Sequence, residues 1–306
     1  MVNIVVVGSF VVGLTVRVPR MPVLGEGLIG DLFDMGPGGK GTNQAIAASR
    51  LGANVHLVAC VGDDTFADMA LKVYKCEGIT TEHIYRIPNV NTGVGMVTLL
   101  PSGDNSIVGH SGANMCMRPE HVDGVEDLIA QSDIVLTQFE VPLETVARAM
   151  ELGRKHGKMT IWNPAPAKNV PGDLLGNVDL ITPNETEVRI LAGLPPDDPT
   201  PTRKLARRLL DMGVKRVVVT CGHRGAMIVM ANTYDEVPAP QVDSLDSTGA
   251  GDAFNAALAV GLGEGMSLRQ AVEQANYAGA YATTRLGVID GLATKAQLEA
   301  FRRDAR

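Results

Sequence analysis

Val2–Gly8 has the sequence VNIVVVG, a run of mainly β-branched residues that ends in glycine. A hydrophobic run without polar alternation is typical of a strand that is buried on both faces, as in a parallel sheet. Five further strands are predicted along the chain, at Val55–Val61, Ile134–Thr137, Met159–Trp162, Leu180–Thr182 and Arg216–Thr220.

Helical segments alternate with these strands, and several of them stop at a glycine, which is a common helix end. This alternation predicts an α/β fold, with a parallel sheet and helices on both of its faces. From Gly251 onward we expect three successive helices. The helices predicted before that point are Thr42–Leu51, Asp63–Glu77, Pro119–Gln131, Leu143–His156, Asn184–Ala192 and Thr202–Met212.

Two segments interrupt the alternation. Phe10–Met35 holds two short β-like runs around a Pro/Gly turn, and Gly93–Gly109 has the pattern of a hairpin around the turn Pro101–Asp104. These runs predict a small separate sheet, which either covers a binding site or consists of ordinary edge hairpins.

The composition excludes several classes of protein. The chain of 306 residues has a net charge of −7, which argues against a nucleic-acid ligand. Its four cysteines lie far apart without metal-ligand spacing, which argues against a disulfide scaffold or zinc finger and for a reducing compartment. No uncharged stretch approaches the ~18 residues of a membrane span, and the first residues lack a signal-peptide pattern. We therefore expect a cytoplasmic protein that binds neither nucleic acid nor membrane.

The segment Asp246–Asn255, DSTGAGDAFN, carries the strongest local signal. Gly249, Ala250 and Gly251 are small residues that lead directly into a predicted helix. Backbone N–H groups there can approach an anion, and the helix dipole favours a phosphate. Asp252 lies on the first turn of that helix, where a carboxylate serves either as a cap or as a catalytic base.

The segment Gly36–Gln44, GPGGKGTNQ, also leads from a predicted strand into a helix. Its glycines allow either the close approach of a ligand or a flexible hinge, and Lys40 and Asn43 are polar groups among them. Three of the glycines also match the G-x-G-x-x-G pattern of dinucleotide-binding enzymes, with Asp63 about twenty residues further on. A nicotinamide-dependent oxidoreductase is therefore one alternative function.

Acidic residues follow two of the predicted strands. Within Thr182–Glu187, TPNETE, Asn184 and Glu187 are spaced either as a capping box or as oxygen ligands for Mg²⁺. Glu140 follows the strand at Ile134–Thr137, and α/β sheets place their sites at the carboxyl ends of strands.

Five segments occur in an order that resembles the ribokinase-like, PfkB-type carbohydrate kinases, and most of all the ribokinase branch of that family. The resemblance extends from about Val2 to Leu292. It implies a three-layer α/β sandwich with a mainly parallel central sheet and a single kinase domain over residues 1–306. A small β lid would be built from about residues 10–36 and 92–110. The segments are GPGGKGTNQA (36–45), WNPAPA (162–167), TPNETE (182–187), TCGHRGA (220–226) and DSTGAGDAFNAAL (246–258).

The resemblance implies roles for individual residues. Asp252 matches the catalytic base that takes the proton from a primary hydroxyl of the sugar. Gly249, Ala250 and Gly251 match the anion hole for the transferred phosphate. The residues that match sugar contacts are Gly38, Gly39, Lys40, Asn43, Glu140 and Asp246. Those that match the nucleotide site are Asn184, Thr220, Gly222, Gly225 and Asn276.

The resemblance also implies that the protein uses ATP, binds Mg²⁺ and a monovalent cation, and forms a homodimer through the lid. Asn184 and Glu187 match the element that organises Mg²⁺, largely through water. The residues that match a loop for a monovalent cation, K⁺, are Asp246, Thr248, Ala282, Arg285, Gly287 and Gly291.

The chain departs from the ribokinase branch after its first strand. Where that branch has an Asn and an Asp that hold sugar hydroxyls, this chain has Val11 and Gly13. Neither side chain can hydrogen-bond a hydroxyl, so the sequence does not identify which sugar is the substrate. The leading prediction is an ATP-dependent kinase that acts on a primary hydroxyl of a pentose or similar small sugar. The alternatives are a nucleoside or ketose kinase of the same fold, the oxidoreductase, and a catalytically idle sugar sensor.

Overall fold

The computed structural model describes residues 1–102, 104–170 and 172–305. Gly103, within the predicted turn Pro101–Asp104, lies outside the described residues. The strands are β1 (Asn3–Val7), β2 (Val11–Arg17), β3 (Leu32–Gly38), β4 (Asn54–Val61), β5 (Ile84–Arg86), β6 (Gly93–Leu99), β7 (Asn105–His110), β8 (Ile134–Thr137), β9 (Met159–Trp162), β10 (Leu180–Ile181), β11 (Arg216–Thr220), β12 (Ala226–Val229) and β13 (Tyr234–Val237).

β1 lies inside a nine-stranded sheet of order β13-β12-β11-β10-β9-β8-β1-β4-β5. It pairs in parallel with β4 and β8, and Val6 lies opposite Leu57 and Leu136. The side chains from Ile4 to Val7 are fully buried. In this sheet, the neighbouring strands from β11 across to β5 all pair in parallel. The pairs β11–β12 and β12–β13 are antiparallel. The predicted mainly parallel sheet is confirmed.

The two segments that interrupt the alternation form one separate sheet of order β3-β2-β6-β7, as predicted. β2 pairs antiparallel with β3 and parallel with β6, and β6 pairs antiparallel with β7. Side chains alternate between the two faces of a sheet. The apolar face, as we call it, exposes Val16, Phe33, Met35, Met96 and Val108.

The helices connect and cover the strands. α9 packs against both α1 and α10, whose bounds are given below. None of the described helices is long and apolar enough to cross a membrane. The helices are α1 (Lys40–Arg50), α2 (Thr65–Cys76), α3 (Pro119–Asp123), α4 (Glu126–Gln131), α5 (Leu143–Lys155), α6 (Gly172–Leu175), α7 (Glu185–Leu191), α8 (Thr202–Asp211), α9 (Ala250–Gly263), α10 (Leu268–Thr283), α11 (Val288–Gly291) and α12 (Lys295–Asp304).

Some element predictions were wrong in detail. Pro119–Gln131 is two helices, α3 and α4, because the backbone of Val125 leaves the helical conformation, with φ −119° and ψ 18°. Four helices follow Gly251 where three were predicted, since Val288–Gly291 adds a short one. The strands β5, β12 and β13 were missed; β5 and β13 are the edge strands of the sheet, and β12 and β13 pair antiparallel, outside the strand–helix alternation.

Candidate active site

Glycines bring the end of β1 against the start of α1. A Cβ atom on Gly41 would lie 2.3 Å from the backbone nitrogen of Ser9, and one on Gly39 would lie 2.9 Å from that of Val11. Gly39 also has φ 93°. These two glycines therefore serve backbone packing, whereas a Cβ on Gly36 would meet nothing within 4 Å.

Asp252 lies on the first turn of α9 and is 4% exposed. Its Oδ2 accepts a hydrogen bond from Asn43 Nδ2 at 2.8 Å, and its Oδ1 accepts one from Gln44 Nε2 at 2.9 Å. The residue at the cap position of α9 is Gly249, with φ 79°. The Asp252 carboxylate therefore joins α9 to α1.

The start of α9 leaves space for a ligand. A Cβ on Gly251 would meet nothing within 4 Å, whereas one on Gly249 would lie 2.7 Å from Val288 Cγ1. α9 has 14 residues, so its first N–H groups and its dipole favour an anion beside Gly251. This geometry suits the predicted position of a transferred phosphate.

Charged side chains of opposite sign gather near Asp252. The pKa of the half-buried Lys40 is raised, chiefly by the charge of Asp252 and further by Glu140 and Glu187, against the effect of burial. Glu140 Oε2 accepts hydrogen bonds from the backbone N–H of Lys40 at 2.8 Å and from the Ser9 hydroxyl. The charges of these three carboxylates thus favour the protonated form of the Lys40 ammonium group.

Asn184 and Glu187 form the capping box of α7. Asn184 Oδ1 accepts from the N–H groups of Thr186 and Glu187, and Glu187 Oε2 accepts from the Asn184 N–H at 2.8 Å. The pKa of Glu187 is raised, chiefly by burial and further by Asp252, while the Asn184 N–H and Lys40 oppose the rise. Glu187 thus lies within electrostatic reach of the proposed reaction centre.

A Mg²⁺ ion suits this region only through water and phosphate oxygens. No group of three acidic, His or Cys side chains among the described residues is arranged as a metal cage. Mg²⁺ commonly binds through one or two carboxylates while it keeps several waters and contacts substrate phosphates. Glu187 provides one such carboxylate. The residues present therefore fit a Mg²⁺ ion that keeps most of its waters and contacts the Glu187 carboxylate through one of them.

The predicted nucleotide residues converge on the ends of β11 and β13. Thr220 pairs with Asn184 in a parallel bridge. Gly225 packs on the segment after β13, since a Cβ on it would lie 2.1 Å from Val237 O. Asn276 Nδ2 donates to the same Val237 carbonyl at 2.8 Å. Gly222, with φ 59°, lies in the turn that joins these positions.

The predicted cation-loop residues also come together. Asp246 Oδ1 accepts from the Thr248 N–H at 2.9 Å, and Oδ2 accepts from the Gly287 N–H at 3.2 Å. Arg285 N–H donates to Ala282 O at 3.3 Å. A Cβ on Gly291 would lie 3.0 Å from that same Ala282 oxygen. The hydrogen bonds to Thr248 and Gly287 place the Asp246 side chain in this loop.

Val11 and Gly13 lie on the face of the small sheet opposite the apolar face. The Val11 methyl groups adjoin Gly38 and Gly93. Gly13 pairs with Gly36 and Gly95, and Gly95 pairs with Gly109. We call Gly36, Gly13, Gly95 and Gly109 the glycine row; it crosses all four strands over about 14 Å, from the spacing of neighbouring strands.

Several buried polar residues of the site had no predicted role. Gln44 and Ser9 bond to Asp252 and Glu140, respectively. The signal that would have found the others is their position, because a polar residue directly after a buried strand lies at the edge where sites form. These others are Gln138, Asn163 and Thr182, which follow β8, β9 and β10.

The sequence profile of the pfkB family carbohydrate kinases matches residues 1–295. A deoxyribokinase from Salmonella typhi is 38% identical over 253 residues, 82% of this chain and 83% of that protein. A ribokinase from Haemophilus influenzae is 35% identical over 293 residues, 96% of each chain. The structure of Arabidopsis thaliana ribokinase complexed with ribose and ATP has a TM-score of 0.91 at 28% identity and covers 98% of this chain and 99% of that one. The chain belongs to the pfkB family of carbohydrate kinases.

Family membership decides between the alternative functions. The chain is a phosphotransferase that acts on a sugar hydroxyl, so the kinase prediction is confirmed and the oxidoreductase is excluded. The structure explains why the dinucleotide pattern was misleading. β3, which contains the first two glycines of the pattern, Gly36 and Gly38, lies in the small sheet and not in a parallel strand–helix–strand unit.

Proposed function

We propose that the chain is an ATP- and Mg²⁺-dependent pentose kinase in which Asp252 is the catalytic base. The observation that carries this proposal is a buried carboxylate at an open helix N-terminus, near the half-buried cation Lys40. The printed names of the relatives, deoxyribokinase and ribokinase, support a pentose as acceptor. The complex of the Arabidopsis protein supports ATP as donor.

The proposed step transfers one proton and one phosphoryl group. Asp252 accepts the proton of the sugar's primary hydroxyl while that oxygen bonds to the γ-phosphorus of ATP. The bond from the γ-phosphorus to the bridging oxygen breaks, and ADP leaves with that electron pair. The first N–H groups of α9 at Gly251 and the Lys40 ammonium stabilise the charge on the transferred group. Mg²⁺, when bound, neutralises charge on the nucleotide phosphates.

Asn43 is a proposed contact of the sugar. It is 5% exposed, and its Nδ2 donates to Asp252. Its Oδ1 is buried and has no hydrogen-bond partner within the described part of the chain. A buried acceptor without a partner costs free energy, and a sugar hydroxyl would satisfy it. The reacting hydroxyl would then lie close to Asp252.

The small sheet supports a pentose other than ribose. Val11 offers methyl groups where a hydroxyl would need an acceptor, and Gly13 offers no side chain. A 2-deoxypentose needs fewer acceptors, which fits the similarity to a deoxyribokinase. We therefore propose 2-deoxyribose above ribose as the small acceptor.

The glycine row favours a second candidate, a nucleoside kinase. Glycine within a strand marks places where a ligand or another backbone approaches closely. The row lies on the same face as Val11 and Gly38, beyond the proposed sugar position, and is wide enough for a flat ring. A pentose that carries a base would fill it.

Further parts of the proposal concern the ion, the assembly and the compartment. The loop of Asp246 and Ala282 would bind K⁺ through main-chain oxygens. The apolar face would form a homodimer, since exposed apolar patches of this kind are typical of protein interfaces. The small sheet would also act as a lid. Free cysteines throughout agree with a cytoplasmic location.

The experiment that tests the proposed function is a screen of ATP consumption. Purified enzyme is supplied with Mg²⁺ and, in turn, with ribose, 2-deoxyribose, ketoses, polyols and nucleosides. We expect turnover with 2-deoxyribose or with nucleosides to exceed that with ribose. Turnover of ketoses or polyols alone would contradict the pentose assignment. Repeating the screen with and without K⁺, and measuring the mass in solution, tests the ion and the dimer.

A further inference from the structure

Gln44 is fully buried and bonded through each polar atom of its side chain. Its Nε2 donates to Asp252 Oδ1 at 2.9 Å and to Asn163 Oδ1 at 3.0 Å, and its Oε1 accepts from Gln138 Nε2 at 2.7 Å. The carboxylate of Asp252 can only accept, so the amide must present its nitrogen there. Gln138 then donates to the remaining oxygen, which fixes the amide in one orientation.

The partners of Gln44 are anchored to the carboxyl ends of neighbouring strands. Gln138 directly follows β8, and Asn163 directly follows β9. Asn163 Nδ2 donates to the carbonyl of Thr182, the residue after β10, at 3.1 Å. These hydrogen bonds therefore tie the position of Gln44 to the main sheet.

The network returns to the helix that carries Asp252. The Thr182 hydroxyl donates to Asn255 Oδ1, and Asn255 Nδ2 donates to Gly251 O at 2.8 Å, in the first turn of α9. All of these side chains are at most 6% exposed. A closed path of hydrogen bonds thus fixes both the carboxylate and the helix turn that holds it.

We propose that Gln44 is the positioning residue that aims the Asp252 carboxylate at the acceptor hydroxyl; this inference rests on the proposed role of Asp252 as base. Gln44 is fully buried and bonds Asp252 directly, so its proposed effect acts through that carboxylate. The N–H group that bonds Asp252 stabilises the carboxylate without adding a counter-charge, so proton acceptance is preserved, and the other N–H group holds Gln44 to Asn163. The rate of the chemical step is sensitive to the orientation of this carboxylate, because a misplacement of a catalytic group by about 1 Å can lower the rate by about 10²-fold.

The first test replaces Gln44 by Met, which has a similar volume and no N–H. We expect Gln44→Met to lower kcat by about 10- to 100-fold, with the KM values for sugar and ATP changed less than about threefold. Gln274→Met is the matched control, since Gln274 is also buried but donates to Ala257 O at 3.3 Å, away from the site. The control should change thermal stability without changing kcat. A folded Gln44→Met enzyme with kcat within about twofold of wild type would overturn the proposal.

The second test, Gln44→Glu, keeps the shape and gives a readout that a purely structural role would not move. The other charged groups that face Asp252 electrostatically are Lys40 and Glu187, and neither is altered. Two adjacent carboxylates resist joint ionisation, so the acidic limb of the kcat/KM profile should move up by about one pH unit or more. An unmoved limb in folded Gln44→Glu would overturn the inference even if Gln44→Met fails to fold. Normal turnover in Asp252→Asn would instead overturn the proposed base itself.

Discussion

The surroundings of Asp252 and the small sheet differ in how they use polar groups and space. Around Asp252, buried amides and carboxylates bond to one another, which leaves each side chain one arrangement. Across the small sheet, the glycine row presents bare backbone on one face, and the other face exposes residues such as Phe33 and Met96. One region is fixed by its contacts, and we propose that the other accepts ligands of different shapes.

This difference separates two tasks of a kinase. Phosphoryl transfer depends on positioning and on charge stabilisation, which a fixed polar network supplies. On our proposal, selection of the acceptor depends on the side chains that the small sheet does or does not carry. We therefore expect changes near Asp252 to slow the enzyme with every acceptor, and changes in the small sheet to alter which acceptor is used.

The largest effect is expected for Asp252→Asn. Loss of the base should lower kcat by about 10²- to 10⁴-fold or more with every acceptor, while ATP affinity changes little. Steady-state kinetics and nucleotide binding measure the two quantities. Asp68→Asn, which alters a first-turn aspartate of α2, is the control and should leave kcat unchanged. Near wild-type turnover in Asp252→Asn would place the chemistry elsewhere.

The next largest effect is expected in the small sheet, for the double change Val11→Asn and Gly13→Asp. One or two hydrogen bonds gained at roughly 0.5–1.5 kcal/mol each, more with a charged acceptor, raise kcat/KM for ribose by about 10- to 100-fold. The preference for 2-deoxyribose should then reverse. Thr15→Asn, further along the same face, serves as control. No gain for ribose would show that other residues make those contacts.

A smaller effect is expected for Glu187→Ala, at the border of the two regions. If Glu187 organises Mg²⁺, the variant needs more Mg²⁺ for half-maximal rate. Its stability should fall by no more than about 1 kcal/mol, the usual loss for a cap. Gln297→Ala removes the equivalent capping-box residue from α12 and is the matched control. Equal stability losses with the same Mg²⁺ dependence in both variants would reduce Glu187 to a capping residue.

The smallest effect is expected for Gly95→Ala in the glycine row. Gly95 does not have a positive φ, and a Cβ there would meet nothing within 4 Å. Alanine should therefore raise the free energy of unfolding by about 0.4–1 kcal/mol in urea titrations. The added methyl group should lower kcat/KM for nucleosides but not for ribose. An equal decrease in kcat/KM for nucleosides and for ribose would mean that the glycine row does not discriminate between substrates by size.

The sequence predicted the fold well where its signals are local. Buried runs such as Val2–Gly8 identified the parallel strands, and the four runs of the small sheet were identified by their turn residues. The prediction was incomplete at β12 and β13 because they do not follow the strand–helix alternation: β12 pairs antiparallel with β11, and β13 pairs antiparallel with β12. The break at Val125 likewise depends on packing of α3 and α4 against α5.

The site was predicted in its parts but not in its connections. Motif segments located Asp252, Asn43 and Glu187, and the structure brings these residues within hydrogen-bond or electrostatic reach of one another. The link through Gln44 was missed because its partners lie 94 to 208 positions away in sequence. Single-sequence patterns report neighbours along the chain, and such a network exists only after folding.

The four glycines of the row have consequences for how this chain can evolve. Their backbone conformations are open to any residue, so folding does not require glycine there. Each one costs roughly 0.5–1 kcal/mol relative to alanine. If the row admits bulky acceptors, as proposed, a single glycine-to-alanine mutation both narrows the acceptor range and stabilises the protein, and the reverse mutation widens the range and destabilises the protein. Without selection for a bulky acceptor, we expect descendants of this chain to lose these glycines and become more specific. Retention of all four glycines in descendants would therefore indicate that selection for a bulky acceptor has continued.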